Sequence, residues 1–397
     1  MKQSVIAMSH YTNSKGFVGG IRTKAWIDQA TRDGWNAYLI SPGTSGSAQY
    51  KAAKRSRSFT GLIKNRLLRL GARLRPHTAL VEPSNAYIFF YMKEVMSLIK
   101  RIAAQKANPH PIILVSSYSP AVTVFAGFLI KAIYKSKVHW VVDYRDDWST
   151  NYKKKYLFPR VEQLIERKLV SICDSVFTVS EEYARVISVN LSKNVFVVRN
   201  GFDGHSFIEL RKRQRENQSD GYIIRYVGTL NAWRSGLEVA CSAISESSSE
   251  ENAMILEVAG KADDHARAIL KTHEIGYYGL LDHSAALELM ASSDALLFFD
   301  TGVAGEISSK VYEYLATHKP VIVYAANDHV VCEDILREAG ILAGVFRNKR
   351  EAVVVLRKLK SFRCDPNIEF INRFTRENQA REFLSIVAHP SVCHTGE

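Results

Sequence analysis

The sequence predicts an α/β protein built from two doubly wound, parallel-sheet domains. Three observations predict it. The chain has 397 residues, more than one ordinary hydrophobic core accommodates. Short continuous apolar runs alternate with longer stretches of helical periodicity, the mark of parallel strands covered on both faces. That alternation runs through the first half of the chain and then restarts near residue 220.

In the first half, residues 5–8, 38–40, 112–116, 140–143 and 176–179 are expected as buried strands. Helical spacing of apolar positions is seen at 21–32 and 161–170. In the second half, strands are expected at 223–227, 255–258, 295–299 and 320–324, with helices at 237–244, 266–271, 285–291 and 310–316. The seam is placed at 200–220, where NGFDG, the charged run RKRQREN and SDG supply turns and solvation. A final helical stretch covers 368–387. The expected division is an N-terminal domain over 1–200, a second domain over 201–370 and a closing helix over 371–397.

Composition narrows the class. Hydrophobic residues make up 46% and charged residues 23%, as in soluble globular proteins. No run approaches the ~18 apolar residues that a spanning helix needs. The opening MKQSVIAMSHYTNSKG is too polar for a secretory signal. Five cysteines, none in a CxxC pair, fit a reducing cytosol rather than a disulfide framework or structural zinc. A net charge of +13 favours an anionic partner.

The segment richest in chemistry is EISSKVYEYLATHKPVIVY, 306–324. It reads as loop, helix, turn and strand. Ser308 or Ser309 caps the helix by accepting from an otherwise unpaired amide. Such a helix start attracts phosphate, through free amides and a dipole term of roughly 0.3–2 kcal/mol. Lys310 adds a mobile positive charge. Glu313, one turn on, leans back toward the same end, where a carboxylate accepts ribose hydroxyls.

This stretch resembles the donor-binding signature of glycosyltransferase family 4, within the GT-B fold, in Ser309, Lys310, Glu313, Leu315, Ala316, Lys319, Pro320 and Val321. Glu313 matches the second Glu of that family's paired-glutamate motif, which binds the ribose. Gly305 stands at the place of the first, with Glu306 one residue closer, and His318 stands where the family usually has Gly. The resemblance implies two Rossmann-like domains facing a central cleft, with the donor on the C-terminal half and the acceptor on the N-terminal half.

Other segments extend it. YVGTLNAWRSG, 226–236, resembles the family's diphosphate loop, implying donor contacts from Gly228, Thr229 and Arg234, although Thr229 replaces a common arginine. NSKGFVGGIRTKAW, 13–26, is similar to the N-terminal glycine loop, which places Gly19 and Gly20 opposite the donor; Arg22 and Lys24 read as exposed helix charges. VVDYRDDWS, 141–149, resembles the RD-x-W strand end of bacterial polysaccharide members, with Arg145 and Asp146 as acceptor-side residues or as a structural Arg–Asp pair. VFVVRNGFD, 195–203, resembles the interdomain hinge, with Asn200 at the cleft, and His10 follows the first strand there. FTRENQAREFL, 374–384, resembles the family's closing helix.

The resemblance implies a retaining, metal-independent, hexosyltransferase-like glycosyltransferase, with Asp146, Arg234, Glu306 and Lys310 as catalytic candidates. Its donor site takes in Ser308, Ser309, Lys310, Val311 and Glu313. No cofactor is expected, because the nucleotide sugar is a co-substrate. The acceptor expected is a lipid-linked or growing cell-surface glycan. Residues 51–75 carry nine Lys or Arg and no acid, with Ile63, Leu67, Leu70 and Leu74 on one helical stripe. From Lys51 to Arg75 the segment suits an anionic membrane surface, placing the protein in the cytoplasm at the inner face of the membrane. No nucleic-acid motif accompanies it. Two other readings fit the same residues: a sugar-nucleotide epimerase of related fold, and a non-catalytic GT-B scaffold.

Overall fold

The computed structural model describes residues 3–10, 20–42, 50–51, 82–104, 110–150, 156–213, 221–230, 236–249, 253–300, 302–303 and 305–389. Gly19, Arg234 and all but Lys51 of the basic segment lie outside these residues. The chain divides into two compact units: Met1–Arg199 with Gln379–Glu397, and Asn200–Asn378.

In the first unit the chain runs β1 (Ser4–Met8), α1 (Ile21–Arg32), β2 (Asn36–Ile40), β3 (Tyr50–Lys51), α2 (Ile88–Ala104), β4 (Ile112–Tyr118) and α3 (Val122–Tyr134). It continues through β5 (Val138–Tyr144), α4 (Pro159–Val170), β6 (Ser175–Thr178), α5 (Glu181–Leu191) and β7 (Val195–Val197). The seven strands lie in the order β3-β2-β1-β4-β5-β6-β7, all parallel. The order turns back between β1 and β4.

The second unit holds α6 (Gly204–Arg213), β8 (Tyr222–Val227), α7 (Leu237–Ser247), β9 (Met254–Ala259), α8 (Asp264–Thr272), β10 (Gly276–Tyr277) and α9 (His283–Ala291). Then come β11 (Ala295–Asp300), α10 (Ser309–Thr317), β12 (Val321–Ala325), α11 (Glu333–Glu338), β13 (Leu342–Phe346), α12 (Lys349–Leu359) and α13 (Ile368–Asn372). Its sheet is β10-β9-β8-β11-β12-β13, again parallel, turning back between β8 and β11. A closing helix, α14 (Arg376–Ala388), begins in this unit and ends in the first.

Sequence alternation explains the layers. In β4 every residue is buried, so both sides of the sheet are covered. Ile6, Leu114, Val142 and Val176 meet α2, α3, α4 and α5. Val5, Ala7, Val115, Val141 and Phe177 meet α1 and the end of α14, where Trp26 stacks on Phe383 at 3.8 Å. In the second unit Val227, Leu296 and Val323 face α10, and Ile224, Leu297 and Ile322 face α7 and α12.

Three expectations shift. The charged run placed in a loop at 200–220 is helical as far as Arg213, because α6 buries Phe207. The last helix is broken into α13 and α14. There Thr375 bridges to Phe202 and the Arg376 amide donates to the Phe202 carbonyl at 2.8 Å. Strands β3, β7, β10 and β13 add edges that the apolar runs did not mark, since β7 is only half-buried and β10 is exposed.

Candidate nucleotide-sugar site

In a doubly wound sheet, ligands gather beyond the carboxyl ends of the strands where the strand order turns back. In the second unit that place lies between β8 and β11. Gly228 and Thr229 follow β8, and Asp300 ends β11 before the loop that leads into α10. Tyr314 fixes α10 there: its hydroxyl donates to the Leu297 carbonyl at 3.1 Å and accepts from the Val227 amide at 3.2 Å.

The start of α10 is capped by Ser308, whose Oγ accepts from the Lys310 amide at 3.4 Å. Lys310 Nζ donates to Glu313 Oε2 at 2.7 Å. Glu313 is 3% exposed, so its charge needs a partner, and the lysine supplies one. An ammonium has three donors, and one of them is used here. Arg376 lies near the same carboxylate. Burial lowers its pKa, and the charges of Glu313, Asp203 and Glu377 act against that fall. The guanidinium donates to the Gly201 carbonyl at 3.1 Å.

Glu306, Ser308 and Val311 line one small pocket with Phe298, Phe299, Asp300, Ile307 and Cys332. Ser309 is half-buried in the first turn of α10. The loop is shaped by glycine. Gly305 has φ +81° and is buried, and Gly302 has φ +65°. A glutamate at 305 would sit in the left-handed region that L side chains disfavour. The one-residue displacement to Glu306 is therefore built into this backbone. Asp300, which sequence reasoning did not select, holds the loop: it accepts from the Gly302 amide at 2.7 Å and the Cys332 amide at 3.2 Å. Its signal was only the acid closing the apolar run ALLFFD. Gly228 donates to the Ala259 carbonyl, Tyr226 donates to the Thr229 carbonyl at 3.0 Å, and the Thr229 side chain is exposed.

The remaining candidates lie elsewhere. Asn200 opens the second unit and is half-buried. In the first unit, Gly20 is the residue before α1 and is buried. His10 follows β1, with Nδ1 3.3 Å from the Tyr91 hydroxyl and its ring edge-on to Tyr87. Burial pushes its pKa down to about 4, so the imidazole is neutral near pH 7 and offers no positive charge to a phosphate.

The RD-x-W stretch separates into parts. Arg145 donates to the carbonyls of Tyr118 and Ser119 at 3.2 and 3.1 Å, which fixes the end of β4. Asp146 is exposed, while Asp147 and Trp148 are buried. Trp148 stacks on Tyr118 and donates to Glu162 at 3.1 Å. Arg22, read as an exposed helix charge, is instead buried. It pairs with Asp143 at 3.2 Å, donates to the Arg199 carbonyl at 2.7 Å and lies over the Trp26 ring. Lys24 is exposed and paired with Asp28. Among the described residues, no group of three His, Cys, Asp or Glu is placed to hold a metal.

No protein-family model and no curated protein matches the chain. Solved structures do. The UDP-GlcNAc 2-epimerase of Methanocaldococcus jannaschii matches with a TM-score of 0.55 and 12% identity, covering 98% of this chain and 100% of that one. An α,α-trehalose-phosphate synthase (UDP-forming) from Burkholderia vietnamiensis matches with a TM-score of 0.61 and 10% identity, covering 98% and 100%. An Anabaena protein, HepE, solved with UDP-glucose, matches with a TM-score of 0.51 and 12% identity, covering 96% and 94%. The chain thus has the two-unit α/β architecture of the GT-B fold, and sugar-nucleotide enzymes are among its structural neighbours. No helix among the described residues is long and apolar enough to cross a membrane.

Proposed function

We propose that the protein is a retaining, metal-independent glycosyltransferase that moves a sugar from a nucleotide-sugar donor to a lipid-linked or growing surface glycan at the inner face of the membrane. The observation that carries this reading is the start of α10. A capped helix end, a lysine and a buried carboxylate meet where the strand order turns back. In this reading the helix amides, Lys310 and Arg234 take the charge that develops on the departing diphosphate. Glu313 accepts the ribose hydroxyls, and Glu306 faces the sugar. The bond from the anomeric carbon to the phosphate oxygen breaks while the acceptor oxygen bonds from the same face. The acceptor's proton passes to the phosphate oxygen. Asp146 orients the acceptor hydroxyl.

The test is a panel of nucleotide sugars with and without lipid-linked acceptors, scored for nucleotide release and glycosylated product. Glu313→Ala is expected to lower kcat/KM at least tenfold. Unchanged turnover in that variant would remove the donor-site assignment. The likeness to a 2-epimerase across the whole chain supports a second reading. An epimerase inverts the donor sugar with no acceptor present, so an epimerised nucleotide sugar in the acceptor-free reaction would favour it over transfer.

A further inference from the structure

Helix α4 turns both of its acids inward. Its acids, Glu162 and Glu166, are 1% and 2% exposed. Glu162 accepts from the Trp148 indole at 3.1 Å. Glu166 accepts from the Ser149 amide at 3.2 Å and from Asn190 Nδ2 at 3.3 Å. Ile165, Leu169 and Val170 pack inward on the core, but other apolar residues face outward: Phe158, at the helix start, is 60% exposed, Val161 45% and Leu164 64%. The charged side chains left on that outer face, Arg160, Arg167 and Lys168, are all basic.

The flanking helices extend the surface. Helices α3 and α5 lie on either side of α4 on the same side of the sheet. Ile133 of α3 is 53% exposed, and Val189 of α5 is 80% exposed. Lys135 and Lys137 follow α3, and Arg185 is exposed on α5. The exposed acid of α5, Glu181, is paired with Arg199 at 3.0 Å. Single exposed apolar residues are ordinary, but several on neighbouring helices, accompanied by exposed basic residues, mark an interaction surface.

We infer that the outer face of α4, with α3 and α5, docks on an anionic lipid bilayer. Aromatic and aliphatic side chains enter the headgroup boundary, and Arg and Lys at their edges meet lipid phosphates. The two carboxylates of α4, Glu162 and Glu166, which would oppose this, are turned into the protein. This surface uses none of residues 51–75 and none of the candidate nucleotide-site residues, and the inference does not rest on sugar transfer.

The test floats the full chain with vesicles of phosphatidylcholine alone or mixed with phosphatidylglycerol, with no nucleotide present. Wild type is expected to bind the mixed vesicles, to bind phosphatidylcholine at least tenfold more weakly, and to release as salt rises. Val161→Asp with Leu164→Asp, and separately Arg160→Glu with Lys168→Glu, are each expected to weaken binding to mixed vesicles at least tenfold while the circular dichroism spectrum is retained. Wild-type binding by both double variants would overturn the inference, since it would leave lipid contact to other segments. A wild-type dimer in light scattering that Leu164→Asp converts to monomer, with lipid binding unchanged, would also overturn it by assigning the face to a second copy.

Discussion

Asp147 shows how one residue ties the candidate acceptor side to stability. Its carboxyl is pushed up to about 6, first by burial and then by the neighbouring Glu166 and Asp146. The unfolded chain loses that proton near pH 4. Between those values the folded protein holds the proton and the unfolded chain does not, so this group's contribution falls as pH rises and the full cost is present above pH ~6. Asp147→Asn removes the ionisation while keeping the shape. It is expected to raise unfolding free energy by about 3 kcal/mol near pH 7.5, with the gain fading toward pH 4. Urea titrations of both proteins at the two pH values measure it. A gain that does not depend on pH would show that ionisation is not its cause.

At the scale of elements, α10 carries a second test. Its helix ends at His318, which takes φ +57°, the left-handed conformation that favours glycine there. His318→Gly is expected to raise stability by roughly 0.5–1 kcal/mol without altering nucleotide affinity. Paired denaturation and nucleotide titration would measure both. A loss of stability would mean that contacts of the imidazole outweigh the backbone strain. The same helix shows what a sequence discloses. The cap at Ser308 and the places of Lys310 and Glu313 on the helix were legible because capping and helical spacing act within a few residues. The pairing of Lys310 with Glu313 follows from that same spacing. The roles of Asp300 and Arg376 were not legible, since each depends on partners far away in the chain, Cys332 for one and Gly201 for the other. Arg22 misled for the same reason: nothing local to 21–32 signals that Asp143 and the Arg199 carbonyl await it. In α4, apolar periodicity revealed a helix but not which stripe faces inward. Trp148 and Asn190 draw the glutamates in, and they come from outside the helix.

At the scale of the whole chain, each unit has its own parallel sheet covered on both sides, so each has a core to lose on its own. The first unit's core is completed from the far end of the sequence. Phe383 is fully buried, stacked on Trp26 at 3.8 Å and set edge-on to Phe177 at 5.1 Å. Leu384 and Val387 fill the same layer. Truncating Phe383 to alanine leaves a cavity there and is expected to cost the first unit about 3–5 kcal/mol. Spectroscopy can separate the units. Of the five tryptophans, Trp26, Trp35, Trp140 and Trp148 belong to the first unit and Trp233 to the second. Tryptophan fluorescence therefore follows the first unit, and far-ultraviolet circular dichroism follows both. In Phe383→Ala the fluorescence midpoint in urea is expected to fall well below that of wild type, while a later transition in circular dichroism stays in place. If both signals fell together by the same amount, the two sheets would unfold as one cooperative body, and the stabilising effect of α14 would extend beyond the layer in which Phe383 packs.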